Sequence, residues 1–84
     1  MFLHLGKGFM IPASRVVMIG SMKTSNDSEI TQKFLQTSKE EGFIIDHSDG
    51  DPKSFVLTEE TIYLSIISSK TLRKRINNFI DRLF

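Results

Sequence analysis

Residues 2–19 read Phe-Leu-His-Leu-Gly-Lys-Gly-Phe-Met-Ile-Pro-Ala-Ser-Arg-Val-Val-Met-Ile, and they decide the fold class. Three short apolar and β-branched runs, 2–6, 9–11 and 15–19, are typical of strands. Between the first two, Gly6-Lys7-Gly8 predicts a tight hairpin turn, because glycine adopts positive φ at no steric cost. The runs follow one another too closely for helical crossovers, so we expect three antiparallel neighbours.

Two helices and three more strands are predicted downstream. A central helix is expected over about residues 29–41, between an N-cap at Asp27 or Ser28 and the C-terminal Gly42. Strands are expected at 43–45, 54–57 and 62–65, with 48–52 as a hairpin turn between the first two. A C-terminal helix follows a cap at Ser68 or Ser69 and repeats apolar residues at helical spacing from Leu72 onward. The sequence therefore predicts an α+β fold, with a small, mostly antiparallel β-sheet and two helices, in a single domain spanning 1–84.

Length and composition limit the classes of protein. The 84 residues include no cysteine, which excludes disulfides and thiolate metal sites. A domain of this size is modestly stable alone, so oligomerisation is the reinforcement left open. The longest apolar runs have four or five residues, far fewer than the roughly 20 that a membrane span needs. We expect a cytoplasmic protein with no membrane partner.

Residues that could support catalysis or metal binding form no recognisable motif. The run 46–51, Asp-His-Ser-Asp-Gly-Asp, does not match the spacing of a calcium loop and is typical of a solvated turn. His4 and His47 belong to no nucleophile–base arrangement, and Gly6-Lys7-Gly8 lacks the rest of a phosphate loop. The sequence predicts no enzyme, no catalytic residue, no cofactor, no metal and no small-molecule substrate.

The net charge of +1 conceals a strongly divided chain. Residues 1–26 carry +3, residues 27–60 carry −6 and residues 61–84 carry +4. Several basic residues stand at turns and corners, where rigid display suits phosphate contact; these are Arg15, Lys53, Lys23 and Lys7. The densest basic cluster is on the last helix and consists of Lys70, Arg73, Lys74 and Arg75. This cluster either contacts DNA or pairs with the acidic middle of a neighbouring subunit, and such head-to-tail contacts can close into a ring.

Several stretches resemble one family closely. They are Phe2 to Gly6, Arg15 to Ile19, Pro52-Lys53-Ser54, Ile62 to Ser65 and Thr71 to Arg75. Together they resemble the Rem family of bacterial extracellular-matrix regulators, in particular its RemB branch, over nearly the whole chain to about residue 76.

The resemblance implies a cytoplasmic, non-enzymatic regulator of biofilm-matrix genes. The RemA branch of the family resembles LytTR-type DNA-binding domains, assembles into ring-shaped homo-oligomers and binds DNA on the basic exterior of the ring. By this resemblance, Arg15 matches an arginine that the RemA branch needs for DNA binding. The same branch has an arginine pair in a hairpin turn, where this chain has Gly50 and Asp51, followed by Lys53.

Two hypotheses of function follow. The first is a ring-forming transcriptional regulator that binds double-stranded DNA through the basic corners Arg15, Lys53, Lys23 and Lys7. The second is an oligomeric protein-interaction or scaffold module, alone or with a paralogue, that does not contact DNA. The resemblance and the basic corners favour the first, whereas the missing arginine pair favours the second.

Overall fold

The computed structural model describes residues 1–25 and 27–83, with side chains within 1–24 and 27–78. The strands are β1 (Phe2–Gly6), β2 (Phe9–Pro12), β3 (Met18–Ser21), β4 (Ile44–Asp46), β5 (Ser54–Leu57) and β6 (Ile62–Ser65). The α-helices are α1 (Met22–Ser25), α2 (Glu29–Glu40) and α3 (Ser69–Leu83), and a 3-10 helix spans Ala13–Arg15.

The strands form two sheets. β1 and β2 make an antiparallel hairpin, and the other four make a sheet in the order β3-β5-β6-β4. In that sheet β5 is antiparallel to both of its neighbours, whereas β4 pairs parallel with β6. The predicted α+β class with mostly antiparallel pairing is confirmed, and the short helix α1 is added where the sequence indicated only a turn.

The expectation of three neighbouring N-terminal strands is wrong for the third. Pro12 ends β2, and the 3-10 helix then carries Arg15, so the strand begins only at Met18. Because this turn leads the chain away from the hairpin, β3 pairs with β5, where Gly20 lies opposite Phe55. Only the β1–β2 pairing and its Gly6-Lys7-Gly8 turn are as predicted.

The prediction of a hairpin between β4 and β5 is also wrong, since these two strands do not pair. The loop between these strands crosses the end of β6 instead, because the His47 amide donates to the Leu64 carbonyl at 3.0 Å and the Lys53 amide donates to the Ser65 carbonyl at 2.9 Å. β4 and β5 therefore lie on opposite sides of β6.

Local signals at the helix ends are confirmed. The Ser28 hydroxyl accepts from the Thr31 amide at 3.3 Å at the start of α2, and the Ser68 hydroxyl accepts from the Thr71 amide at 3.2 Å at the start of α3. Gly42 follows α2 with a φ of +80°, the left-handed conformation that ends many helices.

The core lies between the hairpin, α3 and one face of the four-stranded sheet. It is built from Leu3, Leu5, Ile11, Ile19, Val56 and Leu72. His4 lies on the outer side of β1, exposed between the buried Leu3 and Leu5. Two buried serines also join the layers: the Ser65 hydroxyl donates to the Leu5 carbonyl at 2.6 Å, and the Ser54 hydroxyl donates to the Ile67 carbonyl at 2.7 Å.

The opposite face of the sheet is turned toward α2. Register partners share a face, so Leu57 and Ile62 lie on the side away from Val56. Both line a cleft that is completed by Phe34 and Ser38 of α2. The sheet thus separates α3 and the hairpin from α2.

Candidate nucleic-acid interface

Four of the predicted basic residues lie at one end of the sheet. Lys53 immediately precedes β5, and its carbonyl accepts from the Met22 amide at 3.1 Å, which places Lys53 beside Lys23 in α1. The hairpin turn with Lys7 reaches the same end through the Ser65–Leu5 hydrogen bond. Lys70 stands in the first turn of α3, shortly after β6 ends there. We call these four exposed residues, Lys7, Lys23, Lys53 and Lys70, the lysine edge.

Arg15 lies at the other end of the sheet. The neighbouring Val17 amide donates to the carbonyl of Leu57, the last residue of β5, at 2.8 Å. Because β5 separates Leu57 from Lys53, Arg15 stands roughly 10 Å or more from Lys53 along the strand direction. The exposed Arg15 side chain borders a cleft of about 320 Å³ that also contains Glu59 and Glu60. One copy of the chain therefore presents two separate basic regions.

Two arginines of α3 have structural contacts within the chain. Arg73 donates from its guanidinium to the Ile19 carbonyl at 2.8 Å, and Arg75 donates to the His4 carbonyl at 3.0 Å. These hydrogen bonds fasten α3 to β3 and to β1. The basic residues at 70–75 do not by themselves indicate that two of them hold the helix in place, because the backbone acceptors lie more than 50 residues away in the sequence.

The lysine edge contains an acidic neighbour that offsets part of its charge. Lys7 forms an ion pair with Asp49 of the β4–β5 loop. Among the described residues these two are the non-glycine positions with positive φ, at 55° and 58°. The Asp49 side chain is largely exposed, and such surface pairs contribute about 0–1 kcal/mol, so a phosphate can compete for Lys7.

An aromatic stack positions the loop that carries Asp49. The Phe9 and His47 rings stack with centroids 3.4 Å apart, and the Tyr63 ring lies 6.0 Å beyond His47. The Ser48 hydroxyl and amide both donate to the Asp46 carboxylate, and the hydroxyl bond is the main cause of the lowered pKa of that carboxyl. Asp46 therefore remains ionised and adds to the negative charge of this loop.

Asp49→Asn is expected to strengthen binding of the chain to duplex DNA. Removal of the carboxylate frees Lys7 for a phosphate, and one additional phosphate contact raises the affinity about 8-fold at 0.1 M salt. Titration of a labelled duplex by fluorescence anisotropy at several salt concentrations measures this change. Glu41→Gln is the control of equal charge, because Glu41 directly follows α2 and is not part of the lysine edge or its loops. An equal gain from both substitutions would assign the effect to net charge rather than to Lys7.

The described residues show neither a membrane span nor a metal cluster. Within residues 1–25 and 27–83, every helix is too short or too polar to cross a bilayer. Among the side chains that the structure describes, within 1–24 and 27–78, no three imidazole or carboxylate groups come together as metal ligands.

Comparison with known proteins identifies the family. The family model described as RemA-like, extracellular matrix regulatory protein A-like, matches residues 2–76. Extracellular matrix regulatory protein B of Bacillus subtilis (strain 168) is 39% identical over 75 residues, which cover 89% of this chain and 89% of that protein. The chain therefore belongs to the RemA-like family of extracellular matrix regulatory proteins.

Proposed function

We propose that this chain is a cytoplasmic, non-enzymatic transcriptional regulator of biofilm-matrix genes, which binds double-stranded DNA as a ring-shaped homo-oligomer. The observation that carries the proposal is the lysine edge, where two loops, α1 and the start of α3 bring four lysines from separate parts of the sequence to one end of the sheet. Exposed cations on rigid turns suit contacts to the phosphate backbone. The family assignment supports the regulatory part of the proposal.

A single copy of the chain presents few positive charges to DNA, so the proposed function requires an oligomer. Lys7 is partly neutralised by Asp49, which leaves Lys23, Lys53 and Lys70 as the main contacts of the lysine edge. With three phosphate contacts, the logarithm of the binding constant falls by about 2.7 for each tenfold rise in salt concentration. So few contacts bind duplex DNA only weakly. Repetition of the edge around a symmetric assembly multiplies the contacts, because linked sites bind with high effective concentration.

Arg15 is the second proposed contact region. It is exposed on the 3-10 helix and corresponds, by the family resemblance, to an arginine needed for DNA binding. In a head-to-tail assembly the Arg15 end of one copy can approach the lysine edge of the next. The two basic regions, separate in one chain, then form a single phosphate-binding track.

The combined substitution Lys23→Ala and Lys53→Ala is expected to weaken duplex binding about 60-fold at 0.1 M salt and to lower the salt slope by about 1.8. Arg15→Ala is expected to abolish binding in the same assay. The measurement is retention of a labelled duplex across a salt series. Lys33→Ala with Lys39→Ala, both on α2, removes the same charge elsewhere and serves as the control. An oligomer that retains no duplex even at low salt would refute the proposal.

A scaffold function without DNA contact is the second candidate. The Lys7–Asp49 ion pair favours it, because the Asp49 carboxylate neutralises one of the four lysines of the lysine edge. In addition, the acidic Asp51 stands two residues before Lys53. This function predicts that the oligomer captures a partner protein or a paralogue with the same affinity whether Arg15 is present or replaced.

A further inference from the structure

The β4–β5 loop begins with a histidine that packs against two other elements. The His47 ring stacks on Phe9 of the hairpin, with centroids 3.4 Å apart and planes 15° from parallel, and the Tyr63 ring of β6 lies 6.0 Å away at 19°. The His47 amide also donates to the Leu64 carbonyl at 3.0 Å. These contacts hold a half-buried imidazole between the hairpin and the end of β6.

The charged groups around this imidazole are more acidic than basic. His47 stands two residues before Asp49 and stacks on the residue two places after Lys7, and Lys7 and Asp49 form an ion pair. The imidazole therefore lies beside one cation of the lysine edge. The charged groups of the loop and of the hairpin turn are Asp46, Asp49, Asp51, Lys7 and Lys53, and the titratable neighbour on β6 is Tyr63. The net charge of these groups is −1 while His47 is neutral and zero once His47 is protonated.

Both protonation states of His47 fit this position. A neutral imidazole stacks as an aromatic ring, and an imidazolium is attracted to the faces of Phe9 and Tyr63. Asp46 stays ionised beside it, because hydrogen bonds from Ser48, chiefly that of its hydroxyl, lower the pKa of the Asp46 carboxyl, and the charge of His47 adds to this effect. Histidine is the side chain whose charge changes between about pH 5 and 8. A proton can therefore enter and leave without breaking the stack.

The second histidine of the chain lies elsewhere and provides a matched comparison. His4 is in the middle of β1, opposite Met10, and it is exposed between two buried leucines. Because successive side chains of a strand point to opposite faces, His4 points away from the core and from the sheet against which His47 packs. Protonation of His4 adds the same charge to the chain but places it on the outer face of the hairpin.

We propose that His47 makes phosphate binding at the lysine edge sensitive to pH. Its protonation removes the net negative charge of the loop and turn around Lys7 and Lys53, so that an approaching phosphate meets less repulsion. Binding at this edge therefore strengthens as the pH falls from 7.5 to 5.5. The inference rests on the proposed function, in which the phosphates are those of duplex DNA, and it adds a means of regulating the same site.

Titration of a labelled duplex at pH 7.5 and pH 5.5 tests the role of His47. One added positive charge acts at most as one further phosphate contact, so the affinity of the wild type should rise up to about 8-fold at 0.1 M salt. His47→Phe keeps an aromatic ring in the stack but cannot be protonated, and it should lose this increase while binding as the wild type does at pH 7.5. His47→Gln, which removes the charge without adding an apolar ring, should behave in the same way. His4→Phe is the matched control and should keep the increase.

A second measurement separates this inference from the proposed function. The salt concentration that elutes each chain from immobilised heparin reports exposed cations without requiring DNA recognition, and it should rise at pH 5.5 more for the wild type and His4→Phe than for the two His47 variants. An equal rise in all four chains, or an equal loss in His47→Phe and His4→Phe, would overturn the inference. If the wild type binds no duplex at either pH, the proposed function is refuted, and the heparin elution alone decides whether His47 controls the lysine edge.

Discussion

Leu72→Ala is expected to lower the free energy of unfolding by about 2–5 kcal/mol, because it removes a fully buried side chain and leaves a cavity. Leu72 is 0% exposed and is the residue of α3 within the core cluster that also contains Leu5 and Val56. It therefore fastens α3 to both the hairpin and the sheet. For a domain of this size the loss is a large share of the total stability.

Urea unfolding followed by circular dichroism measures the effect of Leu72→Ala. The matched control is Val17→Ala, which shortens a side chain that is 62% exposed and should change stability by less than about 0.5 kcal/mol. Since α3 carries Lys70 of the lysine edge, loosening α3 should also weaken the proposed duplex binding. A Leu72→Ala chain as stable as the control would show that α3 is not part of the cooperative core.

Gly20→Ala is expected to destabilise the chain by about 1–3 kcal/mol through overpacking. A Cβ at this position would lie 2.1 Å from the Phe55 Cζ atom, far inside van der Waals contact. Phe55 is 3% exposed and pairs directly with Gly20 across β3 and β5, so its ring cannot move into solvent without losing its burial. The glycine is needed for space rather than for its backbone conformation.

A double-mutant cycle tests this explanation. Phe55→Leu shortens the side chain that meets the new Cβ, so Gly20→Ala should cost less in the Phe55→Leu background than in the wild type. Thermal or urea unfolding of the four chains yields the coupling energy. Equal costs in both backgrounds would mean that the ring is not the cause of the destabilisation.

Local chemistry was predictable because its partners lie within a few residues. Ser28 and Ser68 bond amides three residues away, and the glycines of the first turn support a two-stranded hairpin by backbone conformation. These interactions are the same in every tertiary arrangement, so the sequence alone indicates them. The apolar spacing of α3 likewise indicated that Leu72 lies on the buried face of the helix, although not which residues it packs against.

Strand pairing was not predictable in this way. Residues 48–52 have the composition of a hairpin turn, yet β4 pairs parallel with β6. A turn of this composition is compatible both with a hairpin and with a loop that crosses a strand end. Which of the two forms is decided by the hydrogen bonds that the His47 and Lys53 amides donate to β6. β6 follows this loop in the sequence and comes next to it only in the folded chain.

The candidate interface was also predictable only in part. The sequence by itself identified the basic residues, the α+β class and the family, because composition, short-range spacing and motif order contain that information. Only the tertiary structure decided that Lys7, Lys23, Lys53 and Lys70 share one end of the sheet, that Arg15 lies at the other, and that Arg73 and Arg75 hold α3. The physical reason is that these placements result from packing between segments up to 71 residues apart, where burial and backbone hydrogen bonding outweigh local preference.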